Sequence, residues 1–323
     1  MDKDKAIKAK GNSELVKNLK TMGILWALIL ICVIAAVISP NFLKPANIVN
    51  VVRAVSLNGI IAMGMTFVVL TGGVDLSVGS IVGVVAVSGA IMMQKGISSA
   101  ITVLVCLVIG VVLGLINGIG VTRGNLAPFI MTLGTMTALR GVARYLANGS
   151  PQSWRESGID FSFLGQGSIL GVPVPVYIFL AVVAIAFYVL KYTEFGRSVY
   201  ALGDSREAAR LCGINTKRIE TMCFMITGFL SALSAIIFIS RLGIGQPEAG
   251  EGYELDALAM VYIGGASTAG GSGGVIGTLI GACLISVINN ILNLMGISPF
   301  IQKVIQGVII ILAVLLERRT KKN

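Results

Sequence analysis

The chain has 323 residues, 55% of them hydrophobic and 12% charged, with 40 glycines and no histidine. A soluble domain carries about 25% charged residues, so half that share and a mean hydropathy of +0.89 exclude an ordinary soluble globular protein. The missing histidine excludes histidine metal sites and histidine general bases, and the net charge of +10 has to be tested against membrane topology before nucleic acid is considered.

The chain opens with Lys3, Lys5, Lys8, Lys10, Lys17 and Lys20, followed by an apolar run at 22–38. The run is long and no Ala-x-Ala site closes it, so it reads as an uncleaved first span and not as a secretory signal. Further apolar runs lie at 48–70, 76–94, 100–121, 127–147, 172–190, 221–240, 255–270, 275–295 and 299–316. A span needs about 20 apolar residues. The expected fold is therefore an all-α polytopic membrane protein of about ten helices, or eight to ten. The fifth run carries Arg140 and Arg144, and the eighth is short and rich in Gly.

Residues 1–21 form a basic N-terminal segment, 22–316 a single membrane domain and 317–323 a basic tail. Ten spans leave both ends on one side. The regions 1–21, 122–126, 191–220 and 317–323 then face that side together. They hold 6, 1, 6 and 4 Lys and Arg, 17 of the 25. The positive-inside rule makes both termini cytoplasmic. The positive charge reflects orientation, and nucleic acid is not an expected partner. Five scattered cysteines, Cys32, Cys106, Cys212, Cys223 and Cys283, read as small buried hydrophobes without disulfides.

Two regions echo each other. Val68–Gly83 and Val261–Gly277 each contain a Gly-Gly pair followed by Gly-x-aliphatic-aliphatic-Gly, at Gly79–Gly83 and Gly273–Gly277. Downstream stand Ala127-Pro128-Phe129-Ile130 and Ser298-Pro299-Phe300-Ile301. Gly-interrupted segments that recur in this way are a transporter feature and point toward the substrate path. Two stripes at four-residue spacing, Gly110-Gly114-Gly118 and Gly273-Gly277-Gly281, predict closely packed helices.

Asp75 stands between two apolar runs, in Gly72-Gly73-Val74-Asp75-Leu76-Ser77. A carboxylate at a helix centre costs about 2.5–3.5 kcal/mol to insert. It needs water, a partner or free backbone N–H groups, and the Gly and Ser around it suit a broken helix. Two readings stay open: a helix cap at a turn, or a gate in the pathway together with Ser77. Tyr253, Glu254 and Asp256 open the eighth run, either as acidic residues favouring a helix start or as a polar rim at the external mouth. Asn58, Asn117, Asn289 and Asn290 fall in apolar runs, where they glue helices or hydrogen-bond a polyhydroxy solute. In the loop at 191–220, Asp204 and Glu207 have capping-box spacing and Gly213 sits where a helix C′ glycine belongs. A short helix on the cytoplasmic face follows, either as a solvated surface element or as a docking site.

Three blocks carry a resemblance: Gly64–Ser80, Gly196–Gly213 and Gly252–Gly281. With Asn289–Asn293 they extend it over nearly the whole membrane portion. The chain resembles the inner-membrane permeases of bacterial sugar ABC importers of the ribose type. Glu207-Ala208-Ala209-Arg210-x-x-Gly213 matches the loop that such permeases seat in a groove of the ATPase, although the Ile-x-Leu-Pro tail of other permeases is absent. The resemblance implies an inner-membrane location and a path for a monosaccharide, most simply ribose. It also implies three partners: an extracytoplasmic sugar-binding protein, a cytoplasmic ATPase and a second permease copy. No Gly-x-x-x-x-Gly-Lys-[Ser/Thr] occurs, so the chain is expected to bind no cofactor, with ATP and Mg held by the ATPase. Permeases for nucleosides, furanosyl signals or branched-chain amino acids are the near alternatives. An ion-coupled transporter is the remote one, with Asp75 as its only strong acidic candidate.

Overall fold

The computed structural model describes residues 22–322. The expected basic segment 1–21 lies outside them. The first helix, α1, is Met22–Ile38. It is followed by α2 Pro45–Leu70, α3 Val78–Gln94, α4 Ser99–Thr122, α5 Pro128–Leu146, the short α6 Phe163–Gln166, and α7 Val174–Tyr192. Next come α8 Glu194–Asp204, α9 Arg206–Leu211, α10 Thr216–Leu242, α11 Tyr253–Ile263, α12 Val275–Leu294 and α13 Pro299–Lys322. The only strands among the described residues are four two-residue pieces; Gln152–Ser153 pairs antiparallel with Ile244–Gly245.

Five helices, α2, α4, α7, α10 and α12, are long and apolar enough to cross a bilayer. The protein is thus an all-α polytopic membrane protein. α10 forms its centre and packs on α4, α2 and α3, while α12 packs on α11 and α2. Burial separates the inner helices from the outer ones: 72% of the apolar stretch of α2 is buried, against 22% of that of α4. The side chains Leu104, Val108, Val112 and Ile116 of α4 remain exposed at helical spacing, which is a lipid-facing stripe.

The glycine stripes do what their spacing predicts except at Gly273, which takes φ +129° in the turn before α12. A Cβ built on Gly110 or Gly114 would overlap the carbonyl oxygens of Gly228 or Phe224, and one on Gly118 would lie 2.8 Å from Thr221 Cα. Backbones of α4 and α10 therefore meet directly. Gly277 and Gly281 bring α12 equally close to Gly264 and Met260. Thr66 and Thr278 share a buried hydroxyl–hydroxyl hydrogen bond of 2.8 Å between α2 and α12.

Several expectations shift in detail. The run at 255–270 is helical only to Ile263, as part of the 11-residue α11, which is about 16 Å long, shorter than the ~30 Å hydrocarbon core. Gly264, Gly265, Gly270, Gly271 and Gly273 end it and turn the chain. The expected tail at 317–323 continues α13 as helix to Lys322, with Asn323 outside the described residues. All five cysteines are free, and Cys212 is exposed, not buried, because it caps the end of the short surface helix α9.

Candidate functional site

The breaks in the apolar runs bring the polar residues together. α2 ends at Leu70, and Gly72 takes φ +81°, so the chain turns instead of continuing the helix. Asp75 Oδ1 accepts the backbone N–H of Ser77 at 2.9 Å and the Ser77 hydroxyl at 2.6 Å, just before α3. Ser77 Oγ in turn accepts from Asn117 Nδ2 of α4 at 2.7 Å, and Asn117 Oδ1 lies 2.7 Å from the Thr135 hydroxyl of α5. Asp75, Ser77 and Asn117 are fully buried. A polar relay thus ties the first break to two neighbouring helices, in an apolar setting where each such bond is worth more than in water. Asp75 Oδ2 has no hydrogen-bond partner among the described residues.

The second break, between α11 and α12, lies against the first. Gly271 N–H donates to Leu70 O at 3.0 Å, and Gly72 faces Ala269 O. The end of α8 enters this junction. A Cβ on Gly203 would overlap both Leu70 O and Gly271 N, and one on Gly271 would meet Asp204 N at 2.9 Å. Tyr200 of α8 donates its hydroxyl to Gly273 O at 3.1 Å, and Phe195 stacks on Phe67 of α2 at 6.3 Å between centroids.

The segment between α10 and α11 forms a third part. From Gly245, packed on Ala86 and Ala90, it runs along α3 past Gly83 to Gly79, where Gly250 O fills the space left by the missing side chain. That is about two turns of α3. Arg140 of α5 reaches over Gly83 and donates Nη1 to Pro247 O at 2.6 Å and Ala249 O at 2.9 Å. Arg144 pairs with Glu248 at 3.3 Å and Lys303 with Glu251 at 3.1 Å. The hydrogen bond and charge of Lys303 hold the Glu251 carboxyl below its usual range. α11 begins here: Glu254 Oε1 accepts Gly252 N–H at 3.2 Å, and Asp256 accepts from Gln306 of α13 and from Asn289 of α12. Tyr253 stands within electrostatic reach of Arg241 and Asp256.

Asn290 makes a reciprocal pair with Asn47, at 3.0 and 2.8 Å, joining α12 to the start of α2. Asn58 is half-buried on α2, apart from these clusters. Among the described residues no three His, Cys, Asp or Glu side chains are grouped as metal ligands.

The short helix expected before Gly213 forms, with a different cap from the one its spacing predicts. Asp204 is the last residue of α8, and Ser205 caps α9, its side chain accepting Ala208 N–H at 3.2 Å. Ser205 is extended, as an N-cap must be, whereas Asp204 is already helical. Glu207 pairs instead with Arg210 at 2.9 Å, both exposed. The far end is as expected. Gly213 takes φ +82°, and the bonds Gly213 N–H to Arg210 O and Ile214 N–H to Ala209 O close a Schellman motif. Ala209 is buried beneath the helix. Arg206 ties the helix to the buried Glu220 of α10 at 2.7 Å.

The family model described as "Branched-chain amino acid transport system / permease component" matches residues 47–314. The chain belongs to this permease family. Its curated relatives include ribose import permeases. That of Bacillus subtilis is 43% identical, over 93% of this chain and 94% of the relative. That of Haemophilus influenzae is 44% identical, over 90% of each chain. A xylose transport system permease of Escherichia coli is 33% identical, over 87% of each. The family description names amino acids, yet these relatives are sugar permeases. Within the family the chain is a ribose-type permease subunit of an ABC importer, a transport component and not an enzyme. No solved structure matches it.

Arg140, Thr135, Gly203, Tyr200, Arg206 and Glu220 belong to these clusters and were not singled out as site residues by the sequence reading. Arg140 was visible only as a cation inside an apolar run.

Proposed function

We propose that the chain forms the path for a monosaccharide, ribose in the simplest case, in an importer driven by a separate ATPase. The contact of Gly203 with both glycine-rich breaks carries this reading. The helix pair α8–α9 is the docking face for the ATPase, through Asp204, Glu207, Ala208, Ala209, Arg210 and Gly213. A rigid displacement of α8 reaches Leu70 and Gly271 at once, because backbone lies against backbone with no side chain to absorb the motion. The two breaks are the gate, with Asp75, Ser77 and Asn117 fixing one half. Tyr253, Glu254, Asp256 and Asn289 line its outer approach, and Asn58 and Asn290 are lesser candidates for the path. The names and 41–44% identity of the ribose permeases support the sugar.

Ten spans per chain, both termini in the cytoplasm of a bacterial inner membrane, and a second copy completing the path belong to the same proposal. The partners are a binding protein outside and the ATPase, with its ATP and Mg, inside. With α4 as the additional span, the two breaks repeat in the same direction, while α5 and α13 run oppositely. The repeat is therefore kept for the breaks, and the shared Pro-Phe-Ile is a helix start with Pro at N1.

The test is reconstitution with the ATPase and binding protein, using a panel of labelled monosaccharides. Sugar-dependent ATP hydrolysis with uptake is expected. Uptake driven by an ion gradient without the ATPase would overturn the reading. Orientation is read from the exposed Cys212, which an impermeant maleimide should label in inside-out vesicles and not in right-side-out ones.

A further inference from the structure

We propose that the groove between the inner ends of α4 and α10 binds one anionic phospholipid of the cytoplasmic leaflet. The groove has a volume of about 550 Å³. Its walls are apolar, from Ile119 on α4 and from Met222 and Met225 on α10, and its mouth carries Arg123, Lys217 and Arg218. All three cations are exposed. None takes part in the ion pairs of the described residues, which use Arg144, Arg206, Arg210 and Lys303.

The local structure explains why cations gather here. Arg123 caps the end of α4. Lys217 and Arg218 occupy the first turn of the 27-residue α10, which has no acidic residue there. The positive end of the α10 dipole adds to Lys217 and Arg218, the negative end of the α4 dipole falls beside Arg123, and no carboxylate is ion-paired with any of the three cations. Below them α4 and α10 are held at fixed separation by the glycine contacts and by the Thr122–Thr221 hydroxyl pair at 3.0 Å. An apolar slot open to the bilayer, with a basic mouth free of carboxylate partners at one end, matches a lipid with an anionic headgroup and apolar chains. Basic pockets between helices on the cytoplasmic side bind such headgroups. A zwitterionic lipid leaves the charges unneutralised, and a free anion leaves the slot unfilled. The choice of leaflet rests on the orientation proposed above; the chemistry of the site does not.

Native mass spectrometry of the full chain in detergent tests this, with phosphatidylglycerol, phosphatidylcholine and inorganic phosphate as probes. One tightly held phosphatidylglycerol is expected, not displaced by phosphate or by phosphatidylcholine. The triple variant Arg123→Gln/Lys217→Gln/Arg218→Gln should bind it about fivefold more weakly per charge removed, on the order of a hundredfold in all. Ile119→Trp, which keeps every charge and fills the slot, should also lose it. Lys191→Gln/Arg197→Gln, which removes cations elsewhere on the same face, should not. Equal loss in that control, equal retention of phosphatidylcholine, displacement by phosphate, or full binding by Ile119→Trp would each overturn the proposal. If Cys212 were labelled only from outside, the orientation would fail while the lipid result stood, so the two failures separate.

Discussion

The two glycine-rich breaks are built differently. The one at 71–77 is fixed by side chains: Asp75, Ser77, Asn117 and Thr135 form a continuous chain of hydrogen bonds through three elements. The one at 264–274 is fixed mainly by backbone proximity, with four of its residues at positive φ, Gly265, Gly270, Gly271 and Gly273. It leans on α2 and α8 through main-chain atoms. A side-chain lock holds one geometry. A backbone contact transmits whatever its neighbour does. In the gate proposed above, the first break is thus the fixed wall and the second the moving one, with the end of α8 against both.

That contrast can be broken at several points. Gly203→Val should have the largest effect, since its side chain would enter Leu70 O and Gly271 N, neither of which yields. Overpacking of about 1–3 kcal/mol or more is expected, with ATP-driven uptake lost while the ATPase still co-purifies. Retained uptake would remove α8 from the coupling route. Asp75→Ala should destabilise by about 1–3 kcal/mol by leaving the backbone N–H and the hydroxyl of Ser77 without their acceptor. Asp75→Asn keeps Oδ1, the oxygen that accepts, so its thermal midpoint should fall less than half as far. Equal losses would mean that charge, not the relay, matters there.

Gly213→Ala should lower stability by about 1 kcal/mol, because an L-residue resists the left-handed end of α9. Its measure is the melting midpoint with and without bound ATPase. Glu207→Gln removes one exposed i,i+3 pair and should shift stability by at most ~0.5 kcal/mol. Any fall in ATPase association then belongs to docking and not to folding.

Five of the expected spans, α2, α4, α7, α10 and α12, and the close helix contacts at the glycine stripes were legible because periodicity and small-residue spacing are local. The short helix α9 was legible in outline from Glu207 to Gly213. Its cap was misjudged because Asp204 and Ser205 are adjacent cap formers, and only the backbone decides between them. α8 carries Phe195, Val199 and Leu202 at helical spacing, a pattern submerged in a charged loop. Asp75 and Ser77 were visible as polar residues in an apolar run. Their partners Asn117 and Thr135 lie 40 and 58 residues from Ser77, joined only by the packing of α3, α4 and α5. The path of residues 245–250 along α3 left no sequence trace beyond Gly79 and Gly83, which read as part of a repeat.

The segment leading into α11 also bears on how the protein is made. Glu254 and Asp256 sit in the first turn of a helix of 11 residues, too short to cross alone. On insertion scales two carboxylates at membrane depth cost about 5–7 kcal/mol. During synthesis this segment cannot partition into the bilayer when it leaves the ribosome. It has to wait for α3 and α5, whose Gly79, Gly83 and Arg140 form the seat it occupies. Residues 243–263 thereby depend on a formed α3 and α5 for their place, and a fault in either is expected to surface as a failure of biogenesis before any failure of transport.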